Sequence, residues 1–217
     1  MRPIVKICGL MRAEDVSTCV RYGTDIIGFV VDYPHPVPWN LSLNIAKDLV
    51  ALVSKPAETC VVTGGSLEKI MHVAKETRPD YIQLHCGETL SEVEFLVQVL
   101  GKYGTKVIKT LFPDTPDLEK AAVDFSALGI HAILFDPRSP KNATHGGLAD
   151  LSAFARLKRA ASCPVILAGG ITPENVANLV YHSQPKIIDL MSGVESERGV
   201  KDEAKVAAIF QALMDTG

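Results

Sequence analysis

The 217-residue sequence lacks several patterns that identify common classes of protein. Its five cysteines are widely spaced and contain no CxxC pair, and its six histidines include no HExxH arrangement. We therefore expect no disulfide framework and no metal site, and free thiols in a reducing cytoplasm. No apolar run approaches the length that crosses a bilayer, and no GxGxxG turn follows the first predicted strand.

An excess of positive charge is also missing. The formal net charge of −3 argues against a nucleic-acid or membrane partner, although a local basic site for a phosphate stays open. Hydrophobic residues make up 47% and charged residues 22%, which is typical of a globular protein with a sizeable core. The length suits one domain over residues 1–217. The first predicted strand begins at once, without a signal-peptide pattern, so we expect a cytoplasmic protein.

Short apolar segments alternate with longer amphipathic segments along the chain. The predicted strands are Ile4–Cys8, Ile26–Val31, Thr59–Val62, Tyr81–Leu84, Lys106–Thr110, Ala132–Phe135, Val165–Ala168 and Ile187–Leu190. The predicted helices are Glu14–Tyr22, Leu43–Leu52, Leu67–Thr77, Leu90–Lys102, Leu118–Phe125, Leu151–Ala160, Pro173–His182 and Asp202–Met214, with Ser66 and Thr172 as two of the N-caps. This alternation predicts an α/β fold, a single closed (β/α)8 TIM barrel, with an open doubly wound sheet as the alternative.

Two predicted strands run into residues that carry proton-transfer chemistry. Cys8 ends the first apolar run, and Asp136 follows the sixth. Active sites of such barrels lie at the carboxyl ends of the strands, so a base and an acid facing one substrate are indicated. The alternative is a buried core cysteine and an aspartate that caps a loop.

Glycines follow the last two predicted strands. Gly169 and Gly170 come after the seventh strand, and Ser192 and Gly193 come after the eighth. Barrels often bind phosphate at this place, because glycine lets backbone N–H groups approach an anion closely. Gly147, after the sixth strand, is predicted to add a third wall. The alternative is that these glycines only serve tight turns.

Together these motifs resemble the phosphoribosylanthranilate isomerase family of tryptophan biosynthesis over essentially the whole chain. The matching segments are Lys6–Gly9 (KICG), Asp25–Phe29, Gln83–His85, Asp136, Ala168–Val176, Ser192–Glu195 and Gly199–Asp202. The resemblance implies a cofactor-free Amadori rearrangement of an aminoaldose phosphate to an aminoketose phosphate. It also implies a small phosphorylated sugar as the ligand of a monomer or homodimer.

The resemblance assigns roles to both proton-transfer residues. Asp136 would be the general acid that opens the sugar ring, and Cys8 would be the general base that removes the C2 proton. A thiol needs only a modest fall of its pKa to supply thiolate at neutral pH. An aspartic acid needs a raised pKa to donate, and we expect enclosure at the barrel mouth to raise that of Asp136.

The departures from the family pattern cluster at the anthranilate end of the site. Trp39 stands where the family carries an arginine that holds the anthranilate carboxylate, and an indole brings one donor and no charge. Trp39 is predicted to stack on the ligand or to cap the barrel. Arg138 is a candidate replacement cation, with a solvated loop position as the alternative. Gln83 and His85 are predicted to line the site, with a structural hydrogen-bonding role as the alternative for His85.

The sequence is compatible with three functions. The first is the family activity, and the second is the same chemistry on a different phosphorylated aminosugar. The third is a non-catalytic barrel that binds a sugar phosphate, although such a protein needs no proton-transfer pair like Cys8 and Asp136. Lys109 also allows a Schiff-base aldolase, which we rank below isomerisation because nothing in the sequence indicates a lowered lysine pKa.

Overall fold

The computed structural model describes residues 2–138 and 149–214. Its barrel strands, β1 to β8, are Ile4–Ile7, Ile26–Val31, Glu58–Thr63, Tyr81–Leu84, Lys106–Leu111, Ala132–Phe135, Val165–Ala168 and Ile187–Leu190. Its helices, α1 to α8, are Ala13–Arg21, Leu43–Ala51, Leu67–Thr77, Leu90–Gly101, Leu118–Ala127, Leu151–Ala160, Val176–Ser183 and Glu203–Met214. The predicted elements therefore form, with bounds that differ by at most two residues except at the start of α7.

Helix α7 begins later than predicted. Residues Pro173–Asn175 form a turn instead, in which the Thr172 carbonyl oxygen accepts from the backbone N–H groups of Asn175 and Val176 at 3.2 and 3.0 Å. The prediction that Thr172 caps the helix and Pro173 opens it was therefore wrong, because Asn175 is the N-cap. The predicted N-cap at Ser66 is confirmed, because its hydroxyl accepts from the backbone N–H three residues later in α3.

The eight strands are parallel, and they close into a barrel. Each pairs with its neighbour in chain order, and β8 also pairs with β1, with Lys6 opposite Asp189. This closure confirms the predicted TIM barrel and excludes the open doubly wound sheet. Outside the barrel, a two-residue strand, Asn40–Leu41, extends the sheet beside β2.

A small hairpin follows β8. A 3₁₀ turn at Ser192–Val194 leads into an antiparallel pair formed by Glu195–Glu197 and Val200–Lys201, before α8 begins. This hairpin was not predicted from the sequence. It stands over the carboxyl ends of the strands, where it contacts the loop that follows β2.

The period of two along each strand sorts the side chains into two layers. In β2, Ile26 and Val30 face the barrel interior, whereas Ile27 and Phe29 pack against the helices. Both layers are buried, which explains why these strands are continuous apolar runs. The same alternation continues past the strand ends, so that three predicted site residues, Cys8, His85 and Asp136, also face the barrel interior. No helix in the described part of the chain is long and apolar enough to cross a bilayer.

Candidate active site

A cavity of about 540 Å³ opens at the carboxyl ends of the strands. Its lining includes all the predicted site residues that the structure describes: Cys8, Trp39, Gln83, His85, Asp136, Arg138, Gly169, Gly170, Ser192 and Gly193. Gly147, the predicted third wall of the phosphate site, lies outside the described residues. The volume suits a small-molecule ligand.

The thiol of Cys8 lies at the floor of this cavity. Cys8 is 5% exposed, and its backbone N–H donates to the Leu190 carbonyl oxygen at 2.8 Å. A Cβ at Gly28 would lie 2.8 Å from the Cys8 Sγ atom, so a glycine in β2 leaves the room that this thiol occupies. Burial raises the pKa of the Cys8 thiol, and the nearby Lys6 ammonium opposes that rise.

A buried ion pair lies one layer below the thiol. Lys6 Nζ is 2.9 Å from Asp189 Oδ1, with side chains that are 0% and 12% exposed. Burial disfavours the ammonium, but the combined attraction of Asp189, Cys8 and Cys60 outweighs it, and the pKa of Lys6 rises above its usual value. Lys6 therefore stays charged beside Cys8 and favours the thiolate, whereas the Asp189 carboxylate disfavours it. This ion pair was not predicted from the sequence, although two charged residues inside apolar strands were a usable signal.

Three groups hold the carboxylate of Asp136. Arg138 donates to it from Nε at 3.0 Å, from Nη2 at 2.9 Å and from its backbone N–H at 2.9 Å. His85 Nε2 lies 3.4 Å from Asp136 Oδ2. Burial alone would raise the pKa of Asp136, but the hydrogen bonds from His85 and Arg138 hold it well below its usual range. The expectation of a raised pKa was therefore wrong, and the carboxylate is ionised.

His85 links this carboxylate to the aromatic wall of the cavity. The Tyr33 hydroxyl lies 3.1 Å from His85 Nδ1 and donates to the His85 carbonyl oxygen at 3.0 Å. The imidazole also meets the rings of Tyr33 and Phe112 edge-on, with centroids 5.7 and 5.1 Å apart. Burial raises the pKa of Tyr33, which keeps its hydroxyl a donor. His85 therefore lines the cavity and also makes structural hydrogen bonds.

Trp39 forms part of the cavity wall and is fixed by a charged pair. Its Nε1 donates to Glu195 Oε1 at 2.9 Å, and the same oxygen accepts from Lys201 Nζ at 2.8 Å. The Lys201 side chain is fully buried. Gly9 has a φ of +74°, which favours glycine, and a Cβ there would lie 3.1 Å from Trp39 Cδ1. Trp39 presents an aromatic surface whose single donor is already used.

The loops that follow β7 and β8 meet at a glycine. A Cβ at Gly193 would lie 1.8 Å from the Ile171 carbonyl oxygen, so no larger residue fits there without moving one of the loops. Gly170 has a φ of +56°, and its carbonyl oxygen accepts from the side-chain amide of Asn175 at 2.8 Å. These contacts hold two backbone segments side by side at the edge of the cavity, which is a suitable shape for an anion.

The sequence model of the N-(5'phosphoribosyl)anthranilate (PRA) isomerase family matches residues 5–212. The chain belongs to this family. An N-(5'-phosphoribosyl)anthranilate isomerase of Methanopyrus kandleri is 35% identical over 216 residues, which cover 96% of this chain and 97% of the relative. A second such isomerase, from Afipia carboxidovorans, is 34% identical and covers 98% of this chain and 89% of its own length.

Solved structures of PRA isomerases have the same fold. The phosphoribosyl anthranilate isomerase of Thermus thermophilus superposes with a TM-score of 0.82 at 27% identity and covers 100% of both chains. A TrpF of Jonesia denitrificans has a TM-score of 0.80 at 28% identity, with 99% of this chain and 98% of its own covered.

Lys109 has a structural role in this chain. Its Nζ lies 2.7 Å from Glu88 Oε2 and donates to the Cys86 carbonyl oxygen at 2.7 Å, and both charged side chains are almost fully buried. Lys109 does not belong to the described lining of the cavity. Its buried ion pair with Glu88 argues against a Schiff-base aldolase. The pair instead anchors the loop that carries His85.

Proposed function

We propose that this chain catalyses the isomerisation of N-(5'-phosphoribosyl)anthranilate to 1-(o-carboxyphenylamino)-1-deoxyribulose 5-phosphate. The observation that carries the proposal is the single cavity in which Cys8 and Asp136 lie with the paired loops after β7 and β8. Membership of the PRA isomerase family over residues 5–212 supports it. The chain acts as an aldose–ketose isomerase of the cofactor-free Amadori type, with no net oxidation of the substrate.

The first step opens the sugar ring. In it, Asp136 acts as the general acid and gives its proton to the ring oxygen. The C1–O bond breaks, and the nitrogen lone pair forms the C1=N iminium. The proton must first reach a carboxylate that Arg138 and His85 hold ionised. His85 Nε2 lies 3.4 Å from Asp136 Oδ2, and we assign to His85 the delivery of that proton.

The second step moves a proton from C2. Cys8 acts as the general base, and the electron pair of the C2–H bond forms a C1=C2 bond while the iminium nitrogen becomes neutral. The resulting enol becomes the ketone when C1 takes a proton from the Cys8 thiol and the C2 hydroxyl gives its proton to Asp136. Both residues then have their starting protonation, so the cycle balances.

The phosphate is assigned to the backbone at Gly169, Gly170, Ser192 and Gly193, which fixes the far end of the substrate. Gln83 is 2% exposed and lines the cavity between the two reacting ends. We place it against the ribose hydroxyl groups.

A homodimer is one of two expected states. A phosphoribosylanthranilate isomerase of Thermotoga maritima at 25% identity and TM-score 0.79 is described as dimeric.

The proposal is tested by turnover. The purified chain, mixed with freshly generated phosphoribosylanthranilate, should abolish the fluorescence of that substrate with saturable kinetics. The matched negative control is the double variant Cys8→Ser/Asp136→Asn, which should leave the fluorescence to decay at the spontaneous rate. A parent chain no faster than this control would contradict the proposal.

A second candidate is the same chemistry on another phosphorylated aminosugar. It is favoured by one observation, the neutral Trp39 in the wall where a carboxylate-bearing ring would lie. A parent that converts phosphoribosylanthranilate slowly, but converts an aminoaldose phosphate without a carboxylate quickly, would support this candidate over the first.

A further inference from the structure

One arginine of the cavity wall has no charged partner among the described residues. Arg198 lies at the turn of the hairpin formed by Glu195–Glu197 and Val200–Lys201; it is exposed and lines the same cavity as Trp39. No hydrogen bond or ion pair joins its guanidinium to another described residue. The other arginine in the lining, Arg138, already donates to both oxygens of Asp136.

Two contacts define where the hairpin stands. Its first strand is joined to the loop after β2 by the hydrogen bond from Trp39 Nε1 to Glu195, at 2.9 Å. At its tip, a Cβ at Gly199 would lie 2.7 Å from the sulfur of Met11, so the turn rests on the loop after β1. The hairpin that carries Arg198 is therefore joined to the loops after β1 and β2, and the second of these loops carries Trp39. Of the residues assigned to the phosphate, Gly169 and Gly170 follow β7, whereas Ser192 and Gly193 lead into this hairpin.

The proposed substrate carries two separate anions, the phosphate and the carboxylate of the anthranilate ring. The backbone groups after β7 and β8 suit the phosphate. The carboxylate needs a cation with a free donor fork, which neither Trp39 nor the occupied Arg138 offers. We propose that Arg198 binds the carboxylate of the aglycone, next to the aromatic surface of Trp39. This inference rests on the proposed function.

The test uses two stable product analogues that differ only in the carboxylate. One is reduced 1-(o-carboxyphenylamino)-1-deoxyribulose 5-phosphate, the ligand of a solved phosphoribosyl anthranilate isomerase with the same fold. The other is the same compound without the carboxyl group. Their dissociation constants are measured by calorimetry for the parent, for Arg198→Gln, for Arg198→Lys, and for the control Arg159→Gln. Arg159 is an exposed arginine of α6 that lies outside the described lining of the cavity.

Arg198→Gln should raise the dissociation constant of the carboxylated analogue by about ten-fold at low salt, since a charge-assisted bidentate contact is lost. The analogue without the carboxyl group should bind the parent and Arg198→Gln equally, within about two-fold. The affinity of Arg198→Lys for the carboxylated analogue should lie between those of the parent and Arg198→Gln, because lysine keeps the charge and loses the planar fork. Arg159→Gln removes the same charge elsewhere and should bind both analogues like the parent.

Other outcomes overturn the inference. If Arg198→Gln binds both analogues equally more weakly than the parent does, the guanidinium lies at the phosphate or the ribose. Weaker inhibition of Arg198→Gln by inorganic phosphate would lead to the same conclusion. Unchanged binding of both analogues would mean that Arg198 contacts neither. The proposed function is read separately, from the turnover of phosphoribosylanthranilate by the parent. The binding measurements need no turnover, so a failure of the activity and a failure of the Arg198 assignment are distinguishable.

Discussion

Arg138 Nε and Nη2 lie 3.0 and 2.9 Å from the two carboxylate oxygens of Asp136. This fork holds the pKa of Asp136 low, while burial raises that of Cys8. The proposed mechanism needs the opposite protonation, a neutral Asp136 and a Cys8 thiolate. Both forms hold the same number of protons, so their ratio is constant at any pH between the two pKa values. We therefore expect kcat/KM to be flat across the neutral range.

Arg138→Ala should move the acid limb of this profile. Removing the guanidinium takes away a stabiliser of the ionised carboxylate, so the pKa of Asp136 rises toward its ordinary value of about 3.9. The reactive form requires protonated Asp136 and ionised Cys8, and its fraction falls once the pH drops below the lower of the two pKa values. The acid limb of kcat/KM should shift upward by roughly one pH unit or more. An acid limb that coincides with that of the parent would show that Arg138 does not set this pKa.

Cys8→Ser should lower kcat by about a hundred- to ten-thousand-fold, because a serine hydroxyl is not a usable base at neutral pH. The dissociation constant of a product analogue should change little, since the side chains are nearly the same size. Cys163→Ser is the matched control, as Cys163 is a free thiol outside the described cavity lining. If Cys8→Ser kept turnover within a few-fold of the parent, Cys8 would not be the base.

Much of the barrel follows from local patterns. Continuous apolar runs such as Ile26–Val31 are typical of strands buried on both faces, and the helices between them are amphipathic. The period of two then explains why Cys8, His85 and Asp136 all face one cavity. The late start of α7 was not predictable in the same way, because it depends on a turn whose hydrogen bonds compete with those of the helix.

The electrostatics of the site depend on contacts that no local pattern contains. Lys6 and Asp189 meet only because β1 pairs with β8 and closes the barrel. Trp39 and Glu195 are 156 positions apart, and their contact depends on a hairpin that the sequence analysis did not predict. These long-range pairs set the charge beside Cys8 and the orientation of Trp39.

Gly193→Ala should weaken phosphate binding. The added methyl group would lie 1.8 Å from the Ile171 carbonyl oxygen, so the loops after β7 and β8 must separate. The KM for a phosphorylated substrate and the inhibition constant of inorganic phosphate should both rise, by about ten-fold or more, since several backbone donors lose their alignment. Gly101→Ala is the control, because a Cβ there meets no atom within 4 Å. Unchanged inhibition by phosphate in Gly193→Ala would contradict the assigned phosphate site.

Lys6→Met should destabilise the fold by about 3 kcal/mol, because it leaves the Asp189 carboxylate buried without its partner. Burial already raises the pKa of Asp189 in the folded state, and loss of Lys6 raises it further. A group with a raised folded-state pKa stabilises less as the pH rises through that pKa. Lys6→Met should therefore be more resistant to urea at mildly acidic than at neutral pH.

The double variant Lys6→Met/Asp189→Leu tests the cause of this loss. It removes both charges and should recover most of the urea resistance, since an apolar pair has no desolvation penalty. Its urea midpoint should also lose the pH dependence expected for Lys6→Met. A double variant as unstable and as pH-dependent as Lys6→Met would show that the buried carboxylate is not the source of the destabilisation.

Trp39 is the sole tryptophan of the sequence, and it lines the cavity beside the hairpin. Its emission should therefore report directly on occupancy of the aglycone end. Titration with reduced 1-(o-carboxyphenylamino)-1-deoxyribulose 5-phosphate should quench the emission, because an aromatic ring replaces water against the indole. Inorganic phosphate should leave the emission unchanged while it inhibits, since it occupies only the glycine-lined end. Trp39→Phe keeps an aromatic surface and should abolish the signal, and the missing hydrogen bond to Glu195 should lower the free energy of unfolding by about 1 kcal/mol. If the analogue inhibits the parent at a concentration that leaves the emission unchanged, Trp39 does not contact the aglycone.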